Sequence, residues 1–550
     1  MGENEEIDHL KKLHLISVLL VLVVVNISVL HIVCRWDMTD DKRYSISQST
    51  QQLLQNLENP IEITLLLDGE LNAGFLRLKR ATEEMVDELG IYAAKGVQIV
   101  PVKQQDFSTL EPTVIHERTH KGQTAQTTVY PYALVKYGAQ SKVVQLLKNQ
   151  RGLSGEENLN NSIENLEYAF VEAIRRLKQT EVKKIAFLEG HGELDERYVY
   201  DITQALAQYY QVDRGALGTE TGVLDDYEAI IIADPQEAFS ETDKYILDQY
   251  LMQGGRILWV LNGVRFSDDY LSSQGATPII ALDLNIHDML FRYGVRVNHV
   301  LVQDLQCLPV PVDVSQNASE PNWQPMPWTY APLLLTSQSS SVTRNVAQVN
   351  AALASSVDIV GGDDGIRKEV LLATSSNSKT TGVPARVDLS FGVEDEESFH
   401  SAFIPVALSM EGVFSSLYSY QLPPEQITNN VPTRKQSVNT RQIVVAAGSV
   451  IRNEWQQGRP LPLGYDRYTQ MQFGNRDFIV NAVLYLADEE GWMQLRQKEI
   501  TLRMINDQRA RGSRVTAQVV SILIPLLILA IVGSVVTLTK RKRYIKHYQL

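Results

Sequence analysis

The sequence predicts an α/β fold, with a parallel-sheet domain beside mixed α/β and β-rich parts, held between two terminal transmembrane helices. Three observations predict it. Short apolar strands alternate with amphipathic helices across residues 181–310. Apolar runs free of Asp, Glu, Lys and Arg fill 13–33 and 515–538. The 550 residues are 44% hydrophobic and 21% charged, which supplies cores for several domains and excludes a disordered or collagen-like chain.

The run 13–33 is long enough to cross a hydrocarbon core, and no small-residue cleavage site follows it. It is expected to be a retained anchor rather than a signal peptide. Ser17, Asn26 and Ser28 inside it are either tolerated polar groups or partners for another helix. The second run contains Pro525 and Gly533, and Lys540, Arg541, Lys542, Arg543 and Lys546 follow at once. That is a stop-transfer pattern. Two spans put both termini on one side. The basic tail places that side in the cytoplasm and the large middle region on the periplasmic side of the inner membrane. The expected organisation is a cytoplasmic terminus (1–12), the first span (13–33) and a membrane-proximal α/β domain (36–180). A parallel-sheet domain (181–310), a β-rich or mixed domain (311–490) and a helical stalk (491–514) follow. The second span (515–538) and a basic tail (539–550) end the chain.

In the membrane-proximal domain, helices are expected over 48–57 and around Leu78, Ala81, Met85, Leu89 and Tyr92. Strands are expected over 61–67, 97–102, 132–137 and 142–147, the last two as a hairpin through Gly138. A helix over 162–178, capped by Asn161 or Ser162, closes the domain. In the next domain, strands over 183–188, 229–233, 256–261 and 295–302 alternate with helices over 198–210, 241–252 and 284–293. Such alternation builds an open, mainly parallel sheet covered on both faces, with ligands at its carboxyl edge. The Pro-, Trp- and Asn-rich stretch 309–332 reads as a long irregular connection. Beyond it, strands are expected over 369–373, 385–389, 403–408 and 442–446, and helices over 478–486 and 492–509.

Net charge is −14, from 65 acidic and 51 basic residues, so a nucleic-acid partner is not expected. Two cysteines, Cys34 and Cys307, exclude a disulfide framework or Cys-rich zinc site. His116-Glu117-Arg118-Thr119-His120 matches H-E-x-x-H, but Pro112 and Gly122 flank it, and a loop or strand edge is the expected setting for it. No G-x-x-x-x-G-K-[ST] occurs, so ATP-driven work must come from a partner. Trp323, Trp328 and Tyr330 are expected to pin a loop to the core rather than to stack on sugars. The turn Gly190-His191-Gly192-Glu193 stands where a parallel strand meets the next helix, beside the strand ends at Asp234 and Asn262. Its glycines permit a sharp turn, and His191 with Glu193 could bind a ligand. No Ser or Cys there could act as a nucleophile.

Several stretches together resemble one family. They are Asp40-Asp41-Lys42-Arg43-Tyr44-Ser45-Ile46-Ser47, the Gly190–Glu193 turn, Gly448-Ser449-Val450-Ile451-Arg452-Asn453, Leu463-Gly464-Tyr465-Asp466, and Phe473-Gly474-Asn475-Arg476-Asp477-Phe478. Their order resembles the gliding-motility-associated ABC transporter substrate-binding protein GldG family of Bacteroidetes. The resemblance implies an auxiliary, non-enzymatic subunit working with an ABC permease and a cytoplasmic ABC ATPase. It also implies a glutamine-amidotransferase-like, flavodoxin-like sheet domain without the catalytic cysteine, and no cofactor. Two other readings stay open: a tethered periplasmic receptor for a sugar or peptide near His191, and a membrane-bound hydrolase.

Overall fold

The structure is a computed structural model. It describes residues 46–497 and 514–547, together with Ser17, apart from 70, 103–109, 111, 119–123, 149–153, 180–181, 314–321, 362–364, 390–395, 429–430 and 490. The expected first span therefore lies outside the described residues, Ser17 excepted.

A four-stranded sheet opens the described chain. Its order is Val97–Ile99, Ile61–Leu65, Tyr132–Tyr137, Gln140–Gln145, with the first pair parallel and the others antiparallel. Ile61, Ile63, Val135, Leu89, Phe170 and Ile174 meet in one core with helices Ala73–Tyr92 and Leu166–Lys178. The helix expected over 162–178 is two helices, Gly155–Glu164 and Leu166–Lys178, and its cap is neither Asn161 nor Ser162. Ser154 accepts from Glu157 N while the Glu157 carboxylate accepts from Ser154 N, a reciprocal capping box that starts the helix seven residues early. Ser162 instead donates to Asn158 O from inside the first helix.

Among the described residues, the large sheet has ten strands. In spatial order the nine on its main path are Cys307–Asp313, Trp323–Thr336, Arg367–Ala373, Pro405–Gly412, Thr440–Val445, Ile257–Val260, Tyr227–Ala233, Lys184–Glu189 and Gln211–Ala216. The last five are mutually parallel; the first four are antiparallel neighbours. In chain order the parallel strands lie 2-1-3-4-5, so the direction of winding reverses between Lys184–Glu189 and Tyr227–Ala233. Burial alternates residue by residue. Ala229 and Ile231 enter one core with Ile202, Phe478 and Val483, whereas Ile230 and Ile232 enter the other with Ile246, Leu251 and Leu290. A strand flanked by two cores has no polar face, which is why these runs are continuously apolar.

Three expectations need correction. The strand expected over 295–302 is not the next member of the sheet. It divides into Val295–Val297, paired with Val357–Ile359, and Val300–Asp304, paired with Ser378–Gly382. Its place beside Ile257–Val260 is taken by Thr440–Val445, which returns from far along the chain. The stretch 309–332 is not an irregular connection. Cys307–Asp313 pairs antiparallel with Trp323–Thr336, Pro309 opposite Pro327 and Pro311 opposite Pro325. Prolines at alternate positions keep to one set of pairs, where the absent N–H is not needed between the strands. Residues 492–497 form a 3-10 turn with Trp492 and Met493 buried against the sheet, rather than the first turn of a free stalk. The remainder of that expected helix, 498–509, lies outside the described residues.

Residues 500–550 form a separate unit. Its described part is one helix, Arg514–His547, continuous through Pro525, and Val519–Leu538 is long and apolar enough to cross a membrane.

Candidate functional site

The candidate site lies at the carboxyl edge of the parallel strands, where the winding reverses. Open α/β sheets place ligand crevices at such a point. Strand Lys184–Glu189 ends in Gly190 and Gly192, with φ of +116° and +71°, backbone conformations that glycine alone adopts cheaply. The turn places His191 where its carbonyl accepts from Gln236 N and Glu237 N, both at 2.8 Å. The His191 N–H donates to Glu193 Oε2 at 2.7 Å. Nδ1 of the ring lies 3.0 Å from Glu193 Oε1, and Nε2 lies 3.2 Å from Asp243 Oδ2. The ring stacks on Phe239 with centroids 3.7 Å apart.

His191 is only 5% exposed. Burial alone would push its pKa down. The hydrogen bonds and charges of Asp243 and Glu193 outweigh that and raise it from 6.5 to about 9. At neutral pH the ring is thus an imidazolium donating from both nitrogens. Asp243 is held below the usual carboxylate range: its burial acts upward, but hydrogen bonds from His191 and Ser240 prevail. Protonated, the ring has a carboxylate within hydrogen-bond distance of each nitrogen, an arrangement that suits a structural clamp better than a general base. The arrangement ties the first turn of the sheet to loop 234–240 and to the start of helix Glu241–Met252. Gly190, His191, Gly192 and Glu193, singled out by sequence, do come together. Asp243 and Phe239, which complete the cluster, do not stand out in the sequence. The available signal is Ser240-Glu241-Thr242-Asp243, a helix-start pattern that fixes the Asp243 carboxylate near the helix N-terminus.

The other strand ends are linked to each other. Asp234, in the left-handed region at φ +53°, accepts from Asn262 Nδ2 at 2.6 Å and Gln236 Nε2 at 3.1 Å. Asn262 Oδ1 in turn accepts from Gly448 N at 2.9 Å. The Asp234 carboxylate occupies the space that a Cβ on residue 448 would need. Gly263 N donates to Ser355 Oγ, and His299 Nδ1 donates to Gly263 O at 2.7 Å. The chain's own polar groups therefore bridge the strand ends along this edge of the sheet. Gly448 forms part of this chain of contacts because it lacks a side chain.

His116 lies on strand Thr113–Arg118, paired with Thr124–Val129. The strand removes the helical face that brings residues i and i+4 together, and His120 lies outside the described residues. Trp328 is buried and donates Nε1–H to Asp388 O at 3.1 Å, with Tyr330 6.1 Å away, so both belong to the core under the ribbon. Among the described residues, no group of three or more His, Cys, Asp or Glu is placed to hold a metal ion.

These features define an α/β protein with a helix suited to membrane anchoring and a sheet edge whose strand ends are hydrogen-bonded to one another. Residues 182–482, over half of the chain, match the family described as an ABC-type uncharacterized transport system, ABC_transp_aux. The chain belongs to this family of ABC transporter auxiliary proteins. Residues 40–136 match a domain of unknown function, DUF7088. No curated protein matches the chain. Among solved structures, the chain is similar to the mmIFT52 N-terminal domain at 14% identity and TM-score 0.32, over 57% of this chain and 97% of that one. It is also similar to the exo-beta-1,4-mannosidase Op5Man5 from Opitutaceae bacterium strain TAV5, at 12% identity and TM-score 0.19, over 52% and 35%. Likenesses this distant bear on neither substrate nor partner.

Proposed function

We propose that the chain is a non-enzymatic, membrane-anchored subunit of an ABC complex, working beside a separate permease and a cytoplasmic ATPase in support of gliding motility. Membership of the ABC transporter auxiliary family carries the reading. The sequence supports it by lacking a phosphate-binding P-loop, so that ATP hydrolysis falls to a partner. The ordered motifs shared with GldG support the link to gliding. The 2-1-3-4-5 order of the parallel strands supports a flavodoxin-like, glutamine-amidotransferase-like ancestry for the sheet, put here to a structural use. Two spans, with the large region on the periplasmic side, complete the proposal. In it, the turn at His191 is a clamp that keeps the outer region rigid.

The test is purification of the tagged full-length chain from membranes in mild detergent, followed by mass spectrometry. Stoichiometric recovery of a multi-span permease and a P-loop ATPase is the expected result. Recovery of the chain alone, from membranes that contain both, would overturn the reading and favour a tethered receptor for a sugar or peptide.

A further inference from the structure

A cavity of about 350 Å³ opens where helix Leu166–Lys178 meets the end of the sheet domain. Arg175, Arg176, Lys178, Lys183, Tyr209 and Trp492 line it, with Glu172 the one carboxylate among the described residues of the wall. A second hollow beside it shares Arg176 and Tyr209 and adds Lys142. In a chain of net charge −14, this concentration of cations is unusual. Their geometry is also fixed. The Trp492 ring stacks on Tyr168 at 5.4 Å, and the Arg175 guanidinium lies 4.8 Å from the same indole. Arg176 lies 4.8 Å from the Tyr209 ring centre. A guanidinium held against a ring loses side-chain freedom before any ligand arrives.

Two further observations point to an anion. Trp492 is 4% exposed, yet its Nε1–H has no acceptor among the described residues. An orphaned buried donor calls for an oxygen that the protein does not itself supply. Arg176 and Lys178 have no carboxylate partner among the described residues, whereas nearby Lys142 is paired with Glu172 at 2.5 Å and Lys183 with Glu228 at 2.9 Å. One carboxylate would leave this wall undercompensated. A group carrying two or more negative charges matches it, as do the fork geometry of arginine and the size of a small-molecule pocket.

We propose that this cavity binds a small soluble ligand bearing a phosphate group, held by Arg175, Arg176 and Lys178 with Trp492 as a further donor. The proposal is independent of the partnership with an ABC permease and ATPase.

The experiment is isothermal titration of the detergent-purified full chain with inorganic pyrophosphate at low ionic strength. Saturable one-site binding is expected. It should weaken at least tenfold in Arg176→Gln/Lys178→Gln, whose folding is checked by its melting temperature. It should be unchanged in Lys136→Gln, which removes an exposed cation that lines neither hollow. Absence of saturable heat in the wild-type chain would overturn the proposal. So would equal weakening in Lys136→Gln, which would reduce the effect to general charge.

Discussion

Replacing His191 with Gln tests whether the turn at the head of the sheet is an ionic clamp. The ring lies between Glu193, whose side chain is 1% exposed, and Asp243 at 19%. Its pKa rises from 6.5 to about 9 on folding. Each unit is worth about 1.36 kcal/mol, so the protonated ring contributes about 3 kcal/mol to stability. The sign follows from the direction of the shift. The folded state binds the proton more tightly, so the contribution is complete below pH 6.5 and is lost as pH rises through about 9. Urea unfolding of the detergent-solubilised chain, at fixed pH between 6 and 10, reads this directly. The wild-type chain should lose about 3 kcal/mol more than His191→Gln over that range. At pH 7 the variant should be weaker by about 3–5 kcal/mol, because a buried and a half-buried carboxylate lose their counter-charge. Parallel pH profiles for the two proteins would refute the reasoning, since they would mean that His191 is neutral in the folded chain.

Other predictions follow from the same packing. Gly448→Ala drives a methyl group into the Asp234 carboxylate and should cost about 1–3 kcal/mol, and adding Asp234→Gly should recover part of it by relieving both the clash and the positive φ. Thermal unfolding of the single and double variants checks this. Asp248 is fully buried and accepts from Tyr293 Oη, Leu417 N, Ser416 Oγ and Gln249 Nε2 at 2.7–3.0 Å. Asp248→Ala orphans these donors and should destabilise the chain by about 3 kcal/mol or more, read from its urea midpoint. Ending the chain at Glu499 removes the apolar helix Val519–Leu538. The product should stay in the membrane fraction through residues 13–33 and be released only when those are deleted too; release by the first truncation alone would refute a second anchor.

Much of the candidate site was legible in the chain. A strand followed by Gly-x-Gly can only be a tight turn, so Gly190–Glu193 could be placed at the carboxyl edge from the sequence alone. The partners of His191 could not be placed this way. Asp243 lies 52 positions away, and what brings it back is the winding of the sheet. Without it, His191 and Glu193 read as a pair able to bind a ligand. With it, both nitrogens are committed.

The sequence by itself determined what depends on near neighbours and on periodicity. It determined the apolar strands of the parallel sheet, the amphipathic helices, the glycine turn and the apolar C-terminal helix. Tertiary structure decided what depends on distant segments meeting. It gave the slot beside Ile257–Val260 to Thr440–Val445 rather than to 295–302, because an apolar run with no polar face fits any slot between two cores. It made strands of a proline-rich stretch, because alternate prolines are harmless once a partner strand fixes which N–H groups are needed. It set Arg175 and Arg176 against Trp492 and Tyr209, rings from other parts of the chain, because a guanidinium settles wherever packing offers it a face.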